Sequence, residues 1–173
     1  MIPNRSDQQL EIERKYLVFH PPVLTNTTPY TDIEQAYLSM TPEHEVRVRH
    51  ISSCWMRSEK WGRGLTRRQL EQEIGAAEYQ AALTRALGVV IRKRRYFIPY
   101  QQVTIELDIF DGALAPLIIA EVEFDTAAMS NSFSPPDWFG PEVTNDLRYA
   151  NRSLAINGLP SEFSVQRQHE NAR

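Results

Sequence analysis

The chain has little of what marks secreted or membrane-bound proteins. One cysteine among 173 residues, Cys54, leaves no internal disulfide framework and no cysteine-based zinc site, the usage of a reducing cytosol. Cys54 itself reads as packing. No apolar run approaches the roughly 20 residues of a membrane span. The polar start, Met1 to Gln9, has neither a basic stretch leading into an apolar one nor a small-residue cleavage site. A soluble, cytoplasmic protein without a membrane partner is expected. Bulk positive charge is also missing. A net charge of −3 and a pI of about 5.8 argue against nucleic-acid binding by general electrostatics and leave small anions as candidate partners. There is no internal repeat and no low-complexity tract, and the length suits one domain of the usual size, about 100 to 200 residues.

What the chain does have is period-two patterning. Strands are expected at Glu11–Phe19, Ile33–Ser39, Glu45–Ile51, Cys54–Lys60, Thr66–Ile74, Val90–Pro99, Val103–Phe110 and Leu117–Phe124. Thr41-Pro42-Glu43, Trp61-Gly62-Arg63-Gly64 and Asp111-Gly112 supply turns between them. Tyr79, Leu83, Ala86 and Leu87 fall at helical spacing within Ala76 to Leu87, with Gly88 as the stop. A second helix is expected over Thr144 to Asn157, capped by Thr144 or Asn145 and ended by Gly158. The proline-rich stretch Ser134 to Gly140 is a covering loop, in which Trp138 and Phe139, with Tyr149, seat the last helix. Trp55 and Trp61 read as rim or outer-face packing.

Charges repeat on alternate positions, and their sign changes from strand to strand. Glu11, Glu13 and Lys15 share one face of the first strand, because successive side chains of an extended chain point to opposite sides. Arg47 with Arg49, Lys93 with Arg95, Glu106 with Asp108, and Glu121 with Glu123 do the same. Gln69, Glu71 and Glu73 share a further face, and Lys60 ends the strand before it. On the opposite faces Val46, Val48, Ile105, Leu107, Ile109, Ala120, Val122 and Phe124 require burial. Two architectures satisfy this pattern. One is a sandwich whose charged face meets water through cross-strand salt bridges. The other is an eight-stranded antiparallel barrel whose charged face turns inward, where unpaired charges are costly unless an ionic ligand completes them. A phosphate chain held by lysine and arginine, with a divalent ion on the carboxylates, is such a ligand.

The ordered motifs Glu11-x-Glu13-x-Lys15, Gln35-Ala36-Tyr37-Leu38, Arg47-Val48-Arg49, Lys60, Lys93-Arg94-Arg95-Tyr96, Glu106-Leu107-Asp108-Ile109-Phe110, Ala120-Glu121-Val122-Glu123-Phe124 and Arg148-Tyr149-Ala150-Asn151 resemble the CYTH domains, or triphosphate tunnel metalloenzymes. The resemblance spans roughly residues 10 to 160. It implies an α+β, mostly β fold: an eight-stranded antiparallel barrel with a few flanking helices, preceded by a flexible segment 1–9 and followed by a polar tail 161–173. The Pro136 to Thr144 segment looks most like that of small bacterial members that resemble inorganic triphosphatases. The activity implied is metal-dependent hydrolysis of tripolyphosphate to pyrophosphate and phosphate. Thiamine triphosphatase, adenylate cyclase and a non-catalytic polyphosphate or nucleotide binder are the alternatives. Pairing as a homodimer, known among relatives, is left open.

The same resemblance assigns roles. Lys15, Arg47, Arg49, Lys60, Lys93 and Arg95 would bind the phosphate chain. Glu13, Glu121 and Glu123, with Glu11, Glu71 and Asp108, would hold Mg²⁺ or Mn²⁺, and Glu11 could instead orient the attacking water. Tyr37 and Lys93 would assist the departing oxygen, although a strand tyrosine is equally a core residue. Gln69 departs from the family's glutamate. Arg148 either closes the tunnel mouth or forms a salt bridge on the last helix. His20, His44, His50 and His169 lack ligand spacing and read as surface or loop residues.

Overall fold

A computed structural model describes residues 12–61 and 68–163. Glu11, the expected segment Met1 to Gln9, the turn through Gly62 and Gly64, and the tail from Val165 lie outside the described residues. Eight strands form: β1 (Ile12–Leu17), β2 (Tyr30–Met40), β3 (His44–Ile51), β4 (Cys54–Trp61), β5 (Arg68–Glu73), β6 (Leu87–Tyr100), β7 (Val103–Phe110) and β8 (Ile118–Phe124). Three helices accompany them: α1 (Ala76–Leu83), α2 (Ala127–Ser132) and α3 (Asn151–Asn157). The strands make one sheet in the order β1-β8-β7-β6-β2-β3-β4-β5, antiparallel throughout. The expected barrel is realised as a curled sheet with a seam, since among the described residues β1 pairs only with β8 and β5 only with β4. No helix among the described residues is long and apolar enough to cross a membrane.

The outer face is covered in two patches. Tyr79 and Ala82 of α1 pack on Ala36, Val48 and Ile74. Phe133, Phe139 and Met129 pack on Tyr16, Leu107 and Val122. Ile105, Leu107 and Val122 are fully buried there, and each such side chain contributes about 2 kcal/mol. The inner face changes character along its length. Glu13 and Lys15 give way to Leu17, Glu123 and Glu121 to Ile119, and Arg95 and Lys93 to Ile91. Those apolar ends join Phe110, Tyr149, Leu154 and Ala155 in one cluster, so α3 plugs that end of the lumen.

Gly88 makes that plug fit. Between the pairs Gln35–Ile91 and Tyr37–Leu87 the register advances two residues on β2 and four on β6, a bulge in which Gly88 takes φ +71°. A Cβ there would stand 2.0 Å from the carbonyl oxygen of Ala155, so only glycine lets α3 lie against β6. Gly88→Ala should cost roughly 2–5 kcal/mol in urea denaturation, through positive-φ strain and overpacking. A cost near zero would mean that α3 is not anchored there.

Several sequence expectations are corrected. Gly88 does not stop α1, which ends at Leu83 with Thr84 as its C-cap. The last helix begins at Asn151 rather than Thr144, because Thr144 Oγ1 accepts from the Lys15 backbone N–H and Val143 N–H donates to the Lys15 carbonyl, drawing this segment alongside β1. Asp146 then caps a single 3-10 turn, Leu147–Tyr149. Trp138 and Phe139 cover β1 instead of seating α3: Phe139 lies 4.6 Å from the Tyr16 ring, while Tyr149 does reach the plug. Helix α2, capped by Thr126 Oγ1 accepting from Met129 N–H, was not expected. Cys54 is exposed rather than packed. His44 and His50 sit within β3 and stack on Trp61 and Trp55.

Candidate active site

The charged half of the inner face encloses a cavity of about 350 Å³. β1 contributes Glu13 and Lys15, β3 Arg47 and Arg49, and β4 Lys60. β5 supplies Gln69 and Glu71, β6 Lys93 and Arg95, and β8 Glu121 and Glu123. Ten of the predicted site residues therefore meet in one space, although they span more than 100 positions of sequence. The chain has only three lysines, and all three line this cavity.

One wall is a paired network. Lys15 Nζ lies 3.1 Å from Glu13 and 2.9 Å from Glu121. Arg95 donates through Nε to Asp108 at 2.7 Å and through Nη2 to Asp108 and Glu121 at 2.6 Å each. Arg95 also bonds Glu106, and Lys93 bonds Asp108. Burial alone would raise the Glu121 carboxyl, but Lys93, Lys15 and Arg95 outweigh it and hold the group well below the usual carboxylate range. Burial likewise opposes the charges of Lys15 and Arg95, and their carboxylates more than reverse it, raising both. For Glu106, burial prevails over Arg95 and the carboxyl is raised.

The facing wall has no ion pair among the described residues. Arg47, Arg49 and Lys60 form no ion pair with a described residue, and the Nε atoms of both arginines are buried without a hydrogen-bond partner. Burial, followed by the charge of Arg47, pushes the Arg49 guanidinium down to about 10. Half-buried cations without a counter-charge, two of them with a stranded Nε–H, are costly, and an anion in the cavity would relieve that cost.

The remaining predicted residues fall beside the cavity. Asp108 is wholly buried behind Lys93 and Arg95, engaged by both. Tyr37 is buried in the apolar plug with Ile91 and Leu154, and burial pushes its phenol up, so it stays protonated. Gln69 donates to Glu71 at 3.1 Å, as Ser58 does at 3.0 Å, so the departure from glutamate fixes its neighbour. Arg148 points away and is exposed, bonded to Asp146 and Glu162, the salt-bridge alternative. Three lining residues carry no role in the sequence reading, Ile33, Gln35 and Asn151. Ile33 and Gln35 lie at alternate positions of β2, so strand parity is the signal that finds them, whereas Asn151 opens α3 and strand parity does not reach it.

No group of three ligand-type side chains among the described residues is close enough to hold a metal ion unaided. The donor chemistry nonetheless suits one. Glu13 stands directly opposite Glu123 in the β1–β8 register, a like-charge pair that a cation would relieve. Mg²⁺ typically takes one or two carboxylates and completes its shell with phosphate oxygens and water.

A curled antiparallel sheet around a buried cavity with one basic wall and one carboxylate-rich wall defines a polyanion-binding tunnel protein. No family model matches the chain. Its sequence is 36% identical over 151 residues to the inorganic triphosphatase of Nitrosomonas europaea, covering 85% of this chain and 97% of that one. It is 33% identical to the inorganic triphosphatase of Acetivibrio thermocellus, covering 85% and 94%. The crystal structure of an inorganic triphosphatase superposes with a TM-score of 0.71 at 33% identity, covering 85% and 95%. The chain belongs to the CYTH, or triphosphate tunnel metalloenzyme, family, among its inorganic triphosphatases.

Proposed function

We propose that the chain hydrolyses inorganic tripolyphosphate to pyrophosphate and phosphate, with Mg²⁺ or Mn²⁺ as cofactor. The observation that carries this reading is the unpaired basic wall of Arg47, Arg49 and Lys60 facing carboxylates across about 350 Å³. The names of the two relatives agree with it. Among the described residues the cavity lining contains no aromatic side chain on which a base or thiazolium ring could stack, which favours the inorganic substrate over nucleotide or thiamine triphosphates.

Arg47, Arg49 and Lys60 hold the chain from one side, while Lys93 and Arg95, braced by Asp108, approach it from the other. Positioning and charge neutralisation are the main levers in phosphoryl transfer, and fixed bases supply both. Glu13, Glu121 and Glu123, with Glu11 and Glu71, would hold the metal, which supplies further neutralisation of the phosphate oxygens when bound. Lys93 is the proton or hydrogen-bond donor for the departing pyrophosphate oxygen, and Tyr37, kept protonated by burial, stands opposite Arg47 at the edge of the plug.

Phosphate release from tripolyphosphate, ATP and thiamine triphosphate, with Mg²⁺, Mn²⁺ or EDTA, tests the reading. Metal-dependent release from tripolyphosphate alone is expected. Metal-independent binding without turnover would leave a polyphosphate-binding module instead.

A further inference from the structure

Gln35 lies at the centre of the β2 inner face, 1% exposed and lining the cavity, directly across the ladder from Arg49. Its Nε2 is buried without any hydrogen-bond partner. Buried amide groups in folded proteins are nearly always bonded, and an unmade bond at such a position needs an explanation. Core packing does not provide one. The next inward residues of β2 and β6 toward the plug, Tyr37 and Ile91, are apolar-cluster residues, and a methionine-sized apolar side chain would fill this position without stranding a donor. The Nε atoms of Arg47 and Arg49 on the adjacent strand are stranded in the same way. Three orphaned N–H donors on neighbouring strands of one wall share one missing acceptor.

We propose that Gln35 is a substrate-binding residue whose amide N–H donates to a non-bridging oxygen of the phosphate chain beside Arg49. This rests on the triphosphatase reading above and adds to it a neutral donor among charged ones. The guanidinium and ammonium groups attract any polyanion, whereas a single fixed amide bonds an oxygen at one place and sets how far the chain slides along the wall. Because that bond is made to bound substrate and transition state alike, its loss raises KM more than it lowers kcat.

The test compares the wild type with Gln35→Met and Gln35→Glu by steady-state kinetics on tripolyphosphate with Mg²⁺, alongside the melting temperature of each protein without substrate. Gln35→Met should raise KM about 10- to 100-fold, with kcat nearly unchanged and the melting temperature equal or higher, since a stranded donor has been removed. Gln35→Glu, which presents an acceptor to phosphate oxygens, should raise KM further. An unchanged KM in Gln35→Met overturns the proposal. So does a KM that rises only in step with a lost melting temperature and returns to the wild-type value in the shape-conserving Gln35→Glu. A wild type inactive on tripolyphosphate fails earlier and overturns the parent reading itself.

Discussion

Asp108→Ala is expected to destabilise the protein by about 3–5 kcal/mol, measured as a lower urea midpoint at unchanged m-value, and to abolish turnover. Asp108 has no exposed surface and accepts from both Lys93 and Arg95. Arg95 keeps Glu106 and Glu121 when it goes, but Lys93, itself buried, is left without an ion-pair partner among the described residues. A charge stranded in the interior costs far more than the pair gained when it formed, which is why removing one partner weighs so heavily. Activity is expected to go with stability because Lys93 and Arg95, the β6 cations proposed to bind the phosphate chain, lose the carboxylate that fixes them. Asp108→Asn, which preserves shape and one acceptor, should fall between wild type and alanine. A loss below about 1 kcal/mol for Asp108→Ala would show that water reaches the network and that it is not a dry brace.

Arg49→Met should behave in the opposite sense. It is expected to lower kcat/KM for tripolyphosphate about 10²–10³-fold while leaving the melting temperature equal or higher. Arg49 has no ionic partner among the described residues, sits beside the like charge of Arg47, and has its guanidinium depressed to about 10 by burial. The folded protein bears that cost, so replacing the cation with an apolar side chain relieves it. Steady-state kinetics and a thermal melt on the same sample decide the matter. A markedly lower melting temperature with kcat/KM intact would make Arg49 a structural residue. Together the two variants separate the walls: loss of stability is expected from the paired one and loss of turnover without loss of stability from the unpaired one.

Much of this was legible because strand alternation is a strict code. The inward set Glu13, Lys15, Arg47, Arg49, Lys93, Arg95, Glu121 and Glu123 follows from parity alone once the charged face is turned inward. Parity does not say how far along each strand the lumen runs. Tyr37, Ile91, Phe110 and Ile119 lie on the same inward face as the charges yet belong to the plug, and only the tilt of the strands and the position of α3 separate the two zones. Nor does alternation report closure, which depends on whether β1 and β5 meet. Thr144 is a good capping residue in isolation, which is why the sequence points to a helix start there and not at Asn151. Its hydroxyl is instead committed to the backbone of Lys15, nearly the whole chain away in sequence. Helix α2 escaped notice because six residues are too few to show an apolar stripe. Gly88 looked like a helix stop for the same property that suits it to a bulge, its tolerance of positive φ.

The presence of every lysine in the lining of one cavity gives this protein an unusual chemical surface. Its remaining side-chain cations are arginines, whose guanidinium groups do not react with acylating reagents under conditions that modify an amine. A reagent directed at ε-amines therefore has no target on the outer faces of the sheet and is steered into the lumen, where Lys15, Lys60 and Lys93 wait. Apart from the α-amine, ordinary lysine coupling to a dye, a resin or a cross-linker can therefore reach this chain only through side chains that line the cavity.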